Sequence, residues 1–405
     1  MNILWHMPTL RQHSCGLSIR AVRLAEGLRA GGHSITFMVD AEKTDVAGDC
    51  IEGMPLRRLC VVKERPLHWC LQALARRKTA ESVVHQVGTH YDVVISCQPE
   101  VVAAYARLPH RPPIVFVCGS STVLHDEADR SRQASLPRLR RIPYAVDRWL
   151  KRRHELAAFT AADMVIFDSL QTRDRVIAEY SLSPARVHTV HGGVNEAAYR
   201  PADDGVRRAA RASLGIGSEE IVVVWTGRFS PEKNLRLLIE ALPHCVRRPD
   251  RVLLVGEGPG RSQLVDLSRR LEVQDIVQFV GERQDVQPFL HAADIFAFPS
   301  CGESFGGSLV EGLACGLPAV GLRPDGMTVR NANCEIIEHG RCGLLVDQAE
   351  PGEFAAALDR LAGDATLRDR FGAEGRRWVA GNFTWSKASR QLDRLVSSLA
   401  NGARR

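Results

Sequence analysis

Lysine is scarce in this chain of 405 residues: six lysines stand against 47 arginines. That bias makes each lysine informative where it stands, and one of the six is Lys233. No stretch reaches the ~18–20 unbroken apolar residues that span a bilayer. The N-terminal residues show no basic segment followed by an apolar one, so no secretory signal is expected. Eleven cysteines are present, yet no two form a C-x-x-C pair. Metal-ligand spacing is therefore missing, buried thiols are the default reading, and a reducing cytoplasm is the expected compartment. A Walker loop is absent, because no Gly-Lys-Ser/Thr occurs. No Asp-x-Asp pair exists either, which argues against a metal holding a diphosphate. Helix-turn-helix, zinc-finger and aromatic ribonucleoprotein motifs are all missing, so nucleic acid is not an expected partner.

What is present is ordinary for a globular protein: 45% hydrophobic and 25% charged residues, which excludes wholesale disorder. The length suggests two domains, at roughly 150 residues each, with room for a third. The net charge of +6 is unevenly spread. Residues 1–200 hold 27 cations against 20 anions (+7), and the remainder 26 against 27 (−1). Much of the surplus lies in 130–153, where nine cations face only Asp147. A solvated helix surface is the plain reading of this run. A patch for an anionic membrane or an acidic acceptor is the sharper one. Leu139, Ile142, Val146, Trp149 and Leu150 recur there at helical spacing, which favours core packing over membrane contact.

Short runs rich in Val, Ile and Leu alternate with helical patterns. Strands are expected at 2–5, 35–39, 92–97, 114–118, 164–167 and 187–190, and again at 221–226, 252–255, 277–280, 295–298 and 344–346. Helices are expected between them, including 16–30, 67–87, 235–246, 261–271 and 308–314. Such series predict parallel sheets covered on both faces. Two series in one chain predict two doubly wound α/β domains. The seam is placed at 196–205, where Pro, Gly and paired acids break the hydrophobic period. Phe383, Trp385, Leu392, Leu395, Val396 and Leu399 predict a last helix that can lie back on the first domain.

Two elements of the second series point to a phosphate. After the strand at 221–226 comes Thr226-Gly227-Arg228-Phe229-Ser230-Pro231-Glu232-Lys233-Asn234. Parallel sheets bind ligands beyond the carboxyl ends of their strands, so Arg228 and Lys233 stand where two cations suit a diphosphate. Solvation of the loop is their plain alternative. After the strand at 295–298, a glycine-rich loop carrying Glu303 opens a helix at Gly306, Gly307 and Ser308. The free N–H groups there form an anion site. Glu303 on that loop needs another partner, and sugar hydroxyls are suitable donors. Glu311 shares the helix face with Gly307 and Ser308, one turn in, where it can bind a ribose diol; an ordinary helix glutamate is the alternative. Val255-Gly256-Glu257-Gly258-Pro259-Gly260 is similar to a dinucleotide fingerprint, but Arg261 occupies the third glycine position and breaks the pattern.

Together these residues resemble the retaining glycosyltransferases of family four. The resemblance rests on Glu303 and Glu311 as the E-x(7)-E pair, on Gly227-Arg228 with Lys233-Asn234, on Val255-Gly256-Glu257-Gly258-Pro259, on Val280-Gly281-Glu282-Arg283, and on Ala293-Asp294 with Pro299-Ser300. In the first half, Gly16 with Leu17 and Gly32-His33, and His191-Gly192-Gly193-Val194-Asn195, also match. The resemblance covers nearly the whole chain. It implies an α/β chain of GT-B fold: two facing, Rossmann-like, doubly wound domains with a cleft between them and a C-terminal helix crossing back. The first domain, 1–196 with 383–405, would take the acceptor, and the second, 200–382, the donor.

The activity implied is transfer of a hexose-type sugar, with retention, from a nucleoside diphosphate sugar to a hydroxyl. The donor preferred on family frequency is UDP-linked, with GDP-mannose open. The acceptor is a sugar, lipid or small molecule, and no cofactor or metal is required. By matching position, Arg228 and Lys233 grip the diphosphate, with Gly16, Gly306, Gly307 and Ser308 close to phosphate. Glu303, Gly306 and Gly307 hold the donor sugar, and Glu311, Arg283 and Gly256 border the nucleoside. Where the family commonly has a histidine after the strand at 114–118, this chain has Gly119, and the nearest histidine is His125. Gly119 through its carbonyl, or His125, is the acceptor-side candidate. An inactive sugar-nucleotide-binding subunit and a sugar-nucleotide epimerase or phosphorylase are the rival functions; no Ser-Lys site for pyridoxal phosphate is evident. The segment 318–335 is longer than the family pattern, with 323–333 as an added loop. Contact with an anionic membrane at its cytoplasmic face is a separate expectation.

Overall fold

A computed structural model describes residues 1–8, 16–40, 48–59, 80–81, 84, 90–119 and 138–403. The chain divides into two compact units, Met1–His191 with Trp385–Arg405, and Gly192–Thr384. The division falls at Gly192, just ahead of the proline- and acid-bearing segment 196–205. The expected helix at 67–87 lies almost wholly outside the described residues.

The strands of the first unit are β1 (Asn2–Met7), β2 (Ser34–Asp40), β3 (Cys50–Ile51), β4 (Met54–Leu59), β5 (Val93–Ser96), β6 (Ile114–Cys118), β7 (Met164–Phe167) and β8 (Val187–Thr189). They form one eight-stranded sheet of order β3-β4-β2-β1-β5-β6-β7-β8. All neighbours pair in parallel except β3 and β4. The sequence does not predict the hairpin of β3 and β4, because Met54-Pro55-Leu56-Arg57-Arg58 has neither a continuous apolar run nor a β-branched residue. The last helix, Trp385–Ala403, belongs to this unit, as the final apolar period predicts. Its Ala388, Leu392, Val396 and Ala400 are buried in the core that also contains Leu24 and Leu28 of the helix Gly16–Ala30. Asp393 pairs with His33 Nε2 at 2.7 Å, and Gln391 donates to the Thr189 carbonyl at 2.8 Å.

The second unit carries β9 (Val222–Thr226), β10 (Arg251–Val255), β11 (Val277–Gly281), β12 (Ile295–Phe298), β13 (Gly302–Glu303), β14 (Ala319–Leu322), β15 (Arg330–Asn331) and β16 (Gly343–Val346). Six of these form a parallel sheet of order β11-β10-β9-β12-β14-β16. β9 and β12 are buried at every residue, as strands covered on both faces must be. β14 follows a Gly-Leu-Pro helix stop so closely that the sequence pattern does not separate its four residues from the loop. The helix expected at 235–246 is the helix Leu235–Ala241 followed by a 3-10 turn, Leu242–His244; Pro243 has no N–H to continue the α pattern. Asp294 anchors the start of the sheet. Its carboxylate accepts the Val222 amide at 2.8 Å, Arg207 at 2.7 Å and the buried Arg211 at 3.4 Å. Part of the family-like Ala293-Asp294 pattern is thus explained by support of the fold.

A strap of chain adds a second, two-stranded sheet. β13 pairs in parallel with β15, so the segment expected to be an added loop, 323–333, is stitched beside Glu303.

Candidate functional site

The strand order of the second unit reverses between β9 and β12. From β9 the chain moves outward through β10 to β11, then returns to β12 and moves the other way. In such sheets the loops at the reversal splay apart and leave a ligand crevice at the carboxyl ends. Arg228 and Lys233 follow β9, and Glu303 to Ser308 follow β12.

The loop after β9 is locked by backbone contacts with its neighbour. Gly227 N–H donates to the Val255 carbonyl at 3.0 Å, Phe229 N–H to the Glu257 carbonyl at 2.9 Å, and Gly260 N–H to the Phe229 carbonyl at 3.0 Å. Gly256 makes this possible. Its φ is 142°, and a Cβ there would lie 1.8 Å from the Gly227 carbonyl oxygen. The sequence-level placement of Gly256 beside a nucleoside therefore carries a structural requirement as well. Arg228 is exposed, and no described residue pairs with its guanidinium. The turn continues into a 3-10 segment, Pro231–Lys233, and ends at Asn234, in left-handed backbone at φ 49°.

This turn is joined to the loop after β12. Cys301 N–H donates to the Glu232 carbonyl at 2.9 Å. The Lys233 ammonium and the Glu303 carboxylate form an ion pair, each side chain about one-fifth exposed. Glu303 is held from its other side by β15. Asn331, fully buried, donates from Nδ2 to the Ser300 carbonyl at 2.8 Å and accepts the Asn333 amide at 3.1 Å. Sequence reasoning does not single out Asn331. An asparagine in a loop carries no periodic signal, and its value here comes from a contact between segments distant in the chain.

Next comes the helix Gly307–Ala314. Gly306 caps it at φ 89° and packs against Phe298, whose ring would lie 3.1 Å from a Cβ. The Leu309 and Val310 N–H groups both donate to the Gly306 carbonyl, at 3.1 and 3.2 Å. The Gly307 and Ser308 amides precede them and are the helix's own orphan donors. Gly307 is exposed with open space around it, which suits close approach of an anion.

Glu311, one turn further, does not pair with a cation among the described residues. Desolvation pushes its carboxyl up to about 7, with the Tyr199 phenol acting in the opposite direction. Tyr199 is itself pushed up, by burial first and by the Glu311 charge second. Sequence reasoning misses Tyr199 because 196–205 reads as a seam. The signal available is a lone aromatic within an otherwise small and polar segment.

The structure thus unites Lys233, Glu303 and the amides of Gly307 and Ser308 around one sheet reversal, with Arg228 exposed on the same turn. Arg283 follows the edge strand β11, and its guanidinium bonds the neighbouring Glu282 carbonyl at 3.2 Å. In the first unit, Gly16 opens its helix with no described residue's atom within 4 Å of where a Cβ would stand, whereas a Cβ at Gly119 would lie 3.0 Å from Leu17. His125 lies outside the described residues. The stripe expected to pack in the core is corrected. Ile142, Val146 and Trp149 are exposed, at 75%, 44% and 57%, because the helix Arg138–Ala161 meets the core through Ala158 and Phe159. Among the described residues, no helix is long and apolar enough to cross a membrane, and no disulfide joins the described cysteines.

Two family models match the chain: "Glycosyltransferase Family 4" over residues 15–198 and "Glycosyl transferases group 1" over residues 220–364. A D-inositol 3-phosphate glycosyltransferase of Streptomyces bingchenggensis is 31% identical over 258 residues, covering 60% of this chain and 55% of that protein. The chain spans about half the length of the first such relatives. Among solved structures, a sucrose-phosphate synthase from Thermosynechococcus elongatus superposes with a TM-score of 0.81 at 21% identity, covering 99% of both chains. The Anabaena protein HepE, in complex with UDP and glucose, gives 0.73 at 19% identity, covering 98% of this chain and 99% of its own. At these identities the likeness speaks to the fold, which is GT-B.

Proposed function

Since the chain belongs to glycosyltransferase family four, we propose that it transfers a hexose from a nucleoside diphosphate sugar to an acceptor hydroxyl, with retention at the anomeric carbon. The observation that supports this reading is the meeting of Lys233 and Glu303 beside the orphan amides of Gly307 and Ser308, at the sheet reversal between β9 and β12. A cation, a carboxylate and free N–H groups in one place suit a ligand that is anionic at one end and rich in hydroxyls at the other.

In this reading the ion pair is exchanged when donor binds. Lys233 and the exposed Arg228 turn to the diphosphate, joined by the helix amides, and Glu303 is released to accept hydrogen bonds from the donor sugar. Gly306 and Gly307 leave room for the sugar, and Gly16 for the phosphates. Glu311 takes the ribose, with Gly256 and Arg283 bordering the nucleoside. The bond from the anomeric carbon to the phosphate oxygen breaks while the acceptor oxygen bonds the same face. The departing phosphate oxygen takes the acceptor's proton. Preorganised cations and amides stabilise the charge on that leaving group, each worth roughly a hundred- to thousandfold in rate. Gly119 offers no imidazole, so its carbonyl or His125 contacts the reacting sugar.

UDP is the preferred nucleotide, and no metal is required, because Arg228, Lys233 and the helix dipole meet the diphosphate charge. The enzyme acts in the cytoplasm. Its exposed Ile142, Val146 and Trp149, on the helix carrying Lys151 and Arg153, support contact with an anionic bilayer. Co-sedimentation with anionic vesicles at low salt tests that contact, and an absence of binding dismisses it.

The decisive test is nucleotide release from UDP-, GDP- and ADP-sugars by the full chain and by its Lys233→Ala variant. Loss of about two to three orders of magnitude in kcat/KM is expected for the variant. Undiminished turnover rules out the phosphate role of Lys233. Binding without any turnover by the unaltered chain would instead favour a sugar-nucleotide-binding subunit.

A further inference from the structure

Between Glu303 and the helix amides stands Phe305. It is the one aromatic side chain in 299–308, a stretch that also carries Gly302, Gly306 and Gly307. A loop this rich in glycine loses much conformational freedom when it is fixed, so it keeps one shape only where something anchors it. Phe305 is buried, in the core that also contains Val194, Leu309 and Phe383. Its ring meets the two segments by which the chain enters and leaves the second unit. On the entering side it lies against Gly192, where a Cβ would stand 2.6 Å from the ring. On the leaving side it meets Phe383 edge-on, with ring centroids 5.7 Å apart at 63°, a geometry that aromatic pairs prefer. The two segments are themselves paired. Val194 N–H donates to the Phe383 carbonyl at 2.9 Å, and Val194 bridges Thr384 in parallel. Directly after the ring, Gly306 opens the helix, and the Glu303 Cγ lies 3.7 Å from where a Gly306 Cβ would stand. The 305–306 peptide therefore adjoins the carboxylate on one side and the helix amides on the other.

We propose that Phe305 is a positioning residue for donor binding: its ring, seated between Gly192 and Phe383, sets where Glu303 and the Gly307 and Ser308 amides stand. The inference rests on the donor role given to that loop above. A side chain at 192 would disturb the seat in a defined way. Ordinary contact begins at 3.4 Å, so a Cβ at 2.6 Å asks for a shift of about 0.8 Å. Gly192 itself is poorly placed to yield. The Val190 carbonyl, two residues before it, accepts Arg20 at 2.7 Å, and Val194, two residues after it, is tied to Phe383. The ring gives way instead, and the 305–306 peptide goes with it. Displacements of this order matter to groups aimed at a ligand, since a misplacement of about 1 Å costs up to about a hundredfold.

The Gly192→Ala variant of the full chain tests this. In calorimetric titrations it should bind UDP (or GDP, should the chain prefer it) about tenfold more weakly. The matching nucleoside, which has no phosphate to meet the loop, should bind within about twofold of the unaltered chain. A Phe305→Ala background removes the ring atoms in the way, so there Gly192→Ala should weaken diphosphate binding by no more than about twofold further. Without ligand, nitrogen-15 spectra of glycine- and serine-labelled protein should show the Gly307 and Ser308 amides shifted by Gly192→Ala, and unmoved by the same change in the Phe305→Ala background. Unchanged diphosphate affinity in Gly192→Ala overturns the inference and leaves the donor reading standing. Equal losses for the diphosphate and the nucleoside also overturn it, assigning the glycine to folding alone, as do equal losses from Gly192→Ala with and without the ring. If the unaltered chain binds none of UDP, GDP and ADP, the donor reading fails on its own account, and the amide shifts still decide whether the ring sets the loop.

Discussion

Replacing Glu311 with glutamine should make the protein more stable and less able to bind its donor. The carboxyl stands at about 7 in the folded chain against an ordinary value of 4.5. That difference of about 2.5 units corresponds to about 3 kcal/mol, at ~1.36 kcal/mol per unit. The folded state holds this proton more tightly than the unfolded one. Below pH 4.5 both states are protonated and no penalty exists. As pH rises toward 7 the unfolded state ionises freely while the folded state resists, so stability falls and the full cost is present above about pH 7. Glutamine has no charge to desolvate. The stability difference between Glu311→Gln and the unaltered chain should therefore grow from near zero at pH 4.5 to about 3 kcal/mol at pH 8. Denaturant titrations across that range measure it, fitted to the transition of the unit containing residues 192–384, since two units need not unfold together. UDP binding should fall in the same variant. A difference that does not change with pH, or a variant less stable at pH 8, refutes the reasoning about Glu311.

Asn331→Ala should cost about 3 kcal/mol, because it strands the Ser300 carbonyl and the Asn333 amide in a fully buried site; kcat should drop more than UDP affinity, a split that steady-state kinetics with UDP titration resolves. Asp294→Ala should lower stability by about 3–5 kcal/mol by leaving the buried Arg211 without its carboxylate, seen as a reduced denaturation midpoint. Gly256→Ala should be poorly folded, since its Cβ would run into the Gly227 carbonyl, whereas Gly307→Ala, with open space around it, should keep its Tm; calorimetry compares the two. Sugar transfer should survive EDTA with rates unchanged, and a loss restored by a divalent cation would show that the cationic residues alone do not neutralise the diphosphate.

Much of this was legible because burial writes itself into composition. β6, β7 and β12 fall where runs such as Ile114-Val115-Phe116-Val117 predict them, since a strand covered on both faces admits few polar side chains. The glycine-rich loop before Glu311 and the cations after β9 likewise stand out in the sequence, as each departs from its surroundings in a way that suits a phosphate. Tyr199 and Asn331 were not visible. Each owes its place to contacts with segments distant in the chain or across a turn, and no local period records such contacts. The exposed face of Ile142, Val146 and Trp149 misled for a related reason. Helical spacing reveals that one side of a helix is apolar, but the side that meets the core is chosen by Ala158 and Phe159 further along.

The excursion between β14 and β16 is pinned where it passes Glu303 and closed on itself where it turns. Asp325 closes the turn on itself, accepting the Met327, Thr328 and Val329 amides at 2.7 to 2.8 Å, and Met327 projects into solvent at 72% exposure. A self-closed tip on a fixed mount is the outcome. Exchanging the exposed Met327 while Asp325 is kept should leave the mount beside Glu303 unaltered, so this bend can vary in chemistry without a change of shape.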